Sequence, residues 1–150
     1  MTDNTRQRID YAKVAPEAYE VLERIDSYVA NTSLPKNLVE LVKLRSSQIN
    51  GCTYCIKYHC KRAKAMGESD ERIWLVEVWE RVPIYSPKEK AAFAWAEAIT
   101  LISKDHAPDQ VYEEARKYFN ETELVDLTIA IIGINSWNRI SISMRDQLPP

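Results

Sequence analysis

The sequence predicts an all-α protein, a compact helical domain of about seven helices. Three observations predict it. Apolar residues recur at steps of three and four, as on one face of a helix. No segment alternates between turn residues at strand spacing. Only three glycines occur in the chain, and the prolines fall where helices begin or end.

Pro16 takes a first helical position before "EAYEVLERIDSYVANT", whose Tyr19, Leu22, Ile25, Tyr28 and Val29 share one face. "TSLP" breaks the chain, and "KNLVELVKLRSSQI" follows as a second helix. Asn50-Gly51 marks a turn. The chain then resumes as a third helix, "CTYCIKYHCKRAKAM", with Gly67 as its stop. Ser69 caps "DERIWLVEVWERV". Ser86, Pro87 and Glu89 form a capping-box start for "KEKAAFAWAEAITLI". Pro108 opens "DQVYEEARKYF", and His106 just before it is a loop residue with no assigned role. Thr122 caps the last helix, "ELVDLTIAIIGINSWNRISISM".

At 150 residues the chain fits a single domain, 1–150, long enough to bury a core without staples. A net charge of −2 and the lack of a basic patch argue against nucleic acid as a partner. The opening "MTDNTRQRIDYAKVAPEAYE" has no apolar signal-peptide core, and its acids are unlike a transit peptide. The longest apolar run, "LTIAIIGI", is far too short to span a bilayer. A cytoplasmic protein with no membrane partner is expected. In that reducing compartment a C-x-x-C pair is more often catalytic or metal-binding than a static crosslink.

All three cysteines and one of the two histidines fall within "INGCTYCIKYHC", as Cys52, Cys55, His59 and Cys60. On a helix, Cys52 and Cys55 lie about 60° apart on one face. Their Cβ atoms would be about 5–6 Å apart, within reach of a disulfide after modest adjustment. His59, four residues beyond Cys55, stacks over it and can take a thiol proton. The pair also follows a turn, at a helix start whose free N–H groups favour a thiolate. These effects choose different sulfurs: the helix end acts most on Cys52, the histidine on Cys55.

Zinc competes for the same residues as a Cys3His set. One continuous helix cannot wrap four ligands around an ion, because Cys60 lies about 140° round from Cys55. Structural zinc sites also draw on two separated ligand pairs, and the chain has no second pair. Inert packing suits Cys60, as it does most lone cysteines. For the C-x-x-C-x-x-x-H combination a working dithiol outweighs it.

The stretch "ELVKLRSSQINGCTYCIKYH", from Glu40 to His59, resembles the core motif of the alkylhydroperoxidase D-like proteins of the carboxymuconolactone decarboxylase superfamily. Glu40, Cys52, Cys55 and His59 match that motif: a glutamate, eleven residues, then C-x-x-C-x-x-x-H. Similarity continues through "AKAMGESDERI", "EKAAFAWAEAITLI" and "INSWNRISISMR". The resemblance implies an all-α fold that assembles into homo-trimers or hexamers. It implies a thiol peroxidase that reduces organic hydroperoxides in antioxidant defence. Cys55 would be the peroxidatic sulfur and Cys52 its disulfide partner, the one that meets a dithiol reductant of the dihydrolipoamide type. His59 and Glu40 would form the proton relay. No metal, flavin or other cofactor is implied. The founding peroxidase has a histidine directly before the second cysteine, where this chain has Tyr54. A different class of function, a non-catalytic thiol redox sensor or interaction protein, uses the same dithiol without turnover.

By periodicity alone, Glu40 belongs to a polar strip with Lys36, Lys43 and Ser47. It reads there as a solvated residue paired with a lysine. Asn135, Asn138 and Arg139 interrupt an apolar helix and need partners if buried. Trp74 and Trp79 are candidates for an apolar approach to the thiols. Wide apolar arcs in "LTIAIIGI" and "RIWLVEVW" point to a homo-oligomer.

Overall fold

A computed structural model describes residues 4–150, and among these no strand occurs. The helices are α1 (Tyr11–Val14), α2 (Pro16–Ala30), α3 (Lys36–Asn50), α4 (Thr53–Ala65) and α5 (Asp70–Trp74). A 3₁₀ helix (Leu75–Arg81) follows, then α6 (Pro87–Thr100), α7 (Ile102–Asp105), α8 (Asp109–Arg116) and α9 (Glu121–Met144). The all-α expectation holds. No helix among the described residues is long and apolar enough to cross a membrane.

Helix α3 runs through the middle. Leu41, Val42 and Leu44 are fully buried, and Ser46 and Ser47 lie on its other flank with no exposure either. A helix buried on all sides must be surrounded, and α4, α6 and α9 pack against it. Helix α2 lies on α9, and α8 closes over α6.

Polar residues inside this core are paired, as burial demands. Asn50 Nδ2 donates to Oδ1 of both Asn135 and Asn138, each at 2.9 Å. Asn138 Nδ2 donates to Ser47 Oγ at 3.0 Å, and Asn135 Nδ2 to Thr100 Oγ1 at 3.0 Å. Arg139 Nη1 donates back to Asn135 Oδ1 at 2.8 Å. The asparagines that interrupt the last helix thus pin α9 to the end of α3.

Several boundaries differ from the sequence reading. Asp10 caps an unexpected short helix, α1, by accepting from Lys13 N. "DERIWLVEVWERV" is not one helix. It starts under the Ser69 cap, then tightens to 3₁₀ and kinks at Val78 (φ −117°, ψ 27°). Tertiary contacts set that kink: Val76 is fully buried, while Trp79 packs on Phe93 and donates its indole N–H to Glu97 at 2.8 Å. The Ser86–Glu89 capping box is as expected, but α6 stops at Thr100 and a separate turn, α7, follows. His106 closes that turn in the left-handed region, φ 53°. Asn120, not Thr122, caps α9. Its Oδ1 accepts from Glu123 N at 2.8 Å, and Glu123 accepts in return from Asn120 N at 2.9 Å, which leaves Thr122 inside the first turn.

Candidate functional site

Cys52 belongs to two helices at once. Gly51, with φ 71°, ends α3 in the left-handed region. The Cys52 N–H donates to Ser47 O at 3.0 Å, and the Gly51 N–H to Gln48 O at 3.2 Å. This pair of bonds is the Schellman closure that a glycine at this place favours. The Cys52 sulfur then accepts the Cys55 N–H at 3.3 Å and so caps α4. The sequence reading put Cys52 within the first helical turn. It stands one place earlier, at the N-cap, because its backbone is needed to finish α3.

Cys52 and Cys55 form a disulfide with their Cα atoms 5.3 Å apart. Both are buried, packed on Ile134 with Tyr54 and Trp137 beside them. Cys60 is free and half-buried, turned instead toward the main core, where burial pushes its thiol up. It takes no part in the pair. Among the described residues no three His, Cys, Asp or Glu side chains gather into a group that could hold a metal ion.

His59 follows Cys55 by one turn and is itself buried. Its Nδ1 lies 2.7 Å from Glu40 Oε2, and Glu40 Oε1 accepts from Arg62 Nε at 3.0 Å. Glu40 is only 4% exposed, so it is not the solvated residue its strip suggested. Helix α4 covers it with His59 and Arg62. Lys43 pairs elsewhere, with Asp26 Oδ1 at 2.9 Å, and Asp26 Oδ2 accepts from Trp137 Nε1 at 2.8 Å.

Burial lowers the His59 imidazole below its ordinary value against the pull of Glu40, and the Lys43 charge adds to the lowering. Burial would raise Glu40. The hydrogen bond and charge of His59, then the Arg62 hydrogen bond and the charge of Lys43, outweigh it and hold the carboxyl below its ordinary range. These two directions conflict if His59 must be a cation to keep Glu40 ionised. They agree if the imidazole is neutral and Arg62 and Lys43 supply the positive charge. Glu40 as an anion only accepts, so the neutral His59 carries its proton on Nδ1. Nε2 is then the basic nitrogen.

Cys55, His59 and Glu40 line one cavity of about 760 Å³, walled on the far side by Tyr11, Tyr19 and Trp137. Cys52 lines a different one, of about 570 Å³, bounded by Asn4, Thr5 and Leu148 from the two chain ends. Tyr54 borders both. The ends are tied across this region: Gln147 Nε2 donates to Thr5 O at 2.7 Å and Tyr11 Oη to Asp146 Oδ2 at 2.6 Å. Trp74 and Trp79 line neither cavity; the first is exposed on the surface and the second is in the main core. Sequence reasoning missed Arg62 and Asp26. Arg62 carried a signal, since it stands three residues from His59 on the same helical face.

An all-α fold with a C-x-x-C disulfide beside a buried histidine and glutamate is that of an alkylhydroperoxidase D-like protein. The Carboxymuconolactone decarboxylase family model matches residues 16–98, and the chain belongs to that family. The uncharacterized protein YdfG of Bacillus subtilis is 42% identical over 138 residues, covering 92% of this chain and 94% of its own. A protein of unknown function from Agrobacterium tumefaciens, whose name links it to the antioxidant defence protein AhpD, superposes with a TM-score of 0.94. It is 39% identical and covers 97% of this chain and 99% of its own. The debrominase Bmp8 shares the fold at a TM-score of 0.80 and 21% identity, covering 89% of this chain and 72% of its own. The fold therefore carries more than one activity.

Proposed function

We propose that the protein is a thiol-dependent peroxidase that reduces organic hydroperoxides in antioxidant defence. One observation carries the reading: Cys55 and the Glu40-held His59 open onto the same cavity, with Nε2 the nitrogen left to move a proton.

In the reduced protein His59 takes the Cys55 proton. The thiolate attacks the terminal oxygen of the hydroperoxide, forming an S–O bond as the O–O bond breaks. The departing alkoxide receives the proton from His59 and leaves as an alcohol. Cys52 then displaces water from the Cys55 sulfenic acid, and the sulfurs join as a disulfide. A dithiol donor of the dihydrolipoamide type returns two electrons by exchange at Cys52, which opens the bond again. In this reading the enzyme works in the cytoplasm as a homo-trimer or hexamer.

Consumption of cumene hydroperoxide with dihydrolipoamide as donor tests the proposal. Continuous turnover by the wild-type protein, lost in Cys55→Ser and in Cys52→Ser, is the expected result. A single round of oxidation that stops at one disulfide per chain would make the protein a redox sensor instead.

A further inference from the structure

We infer that Arg62 is the positioning residue of the site. It holds the Glu40 carboxylate ionised, with one oxygen turned to His59 Nδ1, and so keeps His59 Nε2 as the proton acceptor. Its use in turnover rests on the peroxidase reading; the arrangement itself does not.

The carboxylate is divided between two partners. Oε2 meets His59 and Oε1 meets Arg62, at 2.7 and 3.0 Å. A glutamate's terminal torsion is broad and has no strong preference of its own. With one oxygen fixed by Arg62, the other is left facing the imidazole. Arg62 is in turn steadied over the Tyr58 ring, 5.7 Å from its centroid, and Tyr58 stands edge-on to His59.

The charge balance singles out the same residue. The Glu40 side chain is 5% exposed, and an anion so buried needs a partner cation. His59 is neutral in the state argued above. Lys43 is held by Asp26 at 2.9 Å. Arg62 is the cation at the cavity that pairs directly with Glu40, from a half-exposed side chain.

Other charged or titratable groups line the same cavity. Helix α2 contributes Tyr19, Glu23 and Asp26, α3 contributes Lys36 and Lys43, and α4 contributes Tyr54 and Tyr58 beside Cys55; Asp10 and Tyr11 come from the start of α1 and Asp146 from the segment after α9. Helix α9 faces the cavity with Ile134, Trp137 and Ser141, none of which titrates. Lys43 stays if Arg62 is removed, but it is already held by Asp26. The charge of Glu40 would then be offset less, and the His59–Glu40 pair would take up a proton at higher pH.

The chain has only two histidines, His59 and His106, so ¹⁵N-histidine NMR reads the pair directly. The reduced wild-type protein, Arg62→Gln and Arg62→Lys are titrated, with His106, which lines neither cavity, as the internal control. In Arg62→Gln the His59 midpoint should rise by on the order of one pH unit. Its neutral form should also lose the pure Nδ1–H signature. Arg62→Lys should return part of the way, with His106 unmoved throughout. Should Arg62→Gln fold poorly, Arg62→Met keeps the stem over Tyr58 and should show the same rise. An unchanged His59 midpoint and tautomer in a folded, charge-free variant overturns the inference. A wild-type protein that fails to consume hydroperoxide sinks the peroxidase reading and leaves this titration standing.

Discussion

His59 Nδ1 and Glu40 Oε2 meet at 2.7 Å across the α3–α4 interface, nineteen residues apart in the chain, with both side chains buried. Their proton affinities are both depressed: His59 below 6.5 by burial, Glu40 below 4.5 by partners that overcome its burial.

That direction makes acid the destabilising condition. For both groups the unfolded chain binds the proton more readily, so stability rises with pH wherever they titrate. It is fully present above the ordinary imidazole value and is lost as pH falls, first through the imidazole range and then through the carboxylate range. Urea midpoints should therefore drop between about pH 7 and about pH 5. His59→Gln should flatten that part of the curve. A wild-type midpoint that climbs as pH falls across this window contradicts the assignment.

The nucleophile is a contest between two physical effects. Cys52 caps α4, a position that favours a thiolate by about 0.3–1 kcal/mol. A positioned base contributes about a hundredfold or more to an acid–base step, and His59 shares its cavity with Cys55. Cys55→Ser should abolish reaction with hydroperoxide. Cys52→Ser should allow one oxidation and trap a Cys55 sulfenic acid that dimedone labels. Label on Cys52 in the Cys55→Ser protein would reverse the roles.

Gly133 marks where α2 crosses α9. A Cβ there would fall 2.8 Å from Ile25 Cγ2, on a β-branched side chain with little freedom to yield. Alanine gains about 1 kcal/mol of helix propensity, but overpacking costs about 1–3 kcal/mol. Gly133→Ala should be net destabilising by about 1 kcal/mol. In an Ile25→Ala background the same change should become stabilising. Denaturation of the four proteins of this cycle gives both signs, and equal effects in the two backgrounds would show that Ile25 is not the obstacle.

Val125 and Ile132 stand seven residues apart on one face of α9, 59% and 44% exposed, and Trp74 is 71% exposed. The proposed homo-oligomer would cover such side chains. Light scattering should give a mass of three or six chains, lowered by Val125→Lys combined with Ile132→Lys. A stable wild-type monomer at micromolar concentration rules the assembly out.

The sequence was most readable where the cause is local. The Ser86–Glu89 box, Gly51, Gly67 and the Pro16 start all act within one turn, and each lies where spacing put it. Periodicity alone put Glu40 in solvent, because it sees one helix at a time. Its burial comes from α4 lying across it, and only the family motif pointed to His59. Asn120 and Thr122 are both good caps, and the choice fell to the one with Glu123 three places on. The kink at Val78 was hidden for the opposite reason. Its local pattern is helical, and the packing of Val76 and Trp79 overrides it. Cys52 was one residue off because a single residue ends one helix and starts the next.

Cys55 and Cys52 line separate chambers, and Tyr54, Ser141, Asp146 and Gln147 border both. In the proposed cycle this matters for traffic. An enzyme that alternates two reagents through one mouth lets each obstruct the other's turn, and excess of either slows the whole. In that cycle oxidant delivery at Cys55 and electron delivery at Cys52 would use different doors, so a flood of one would leave the other's path clear. Tyr54 would then be one part of a partition that Ser141, Asp146 and Gln147 complete.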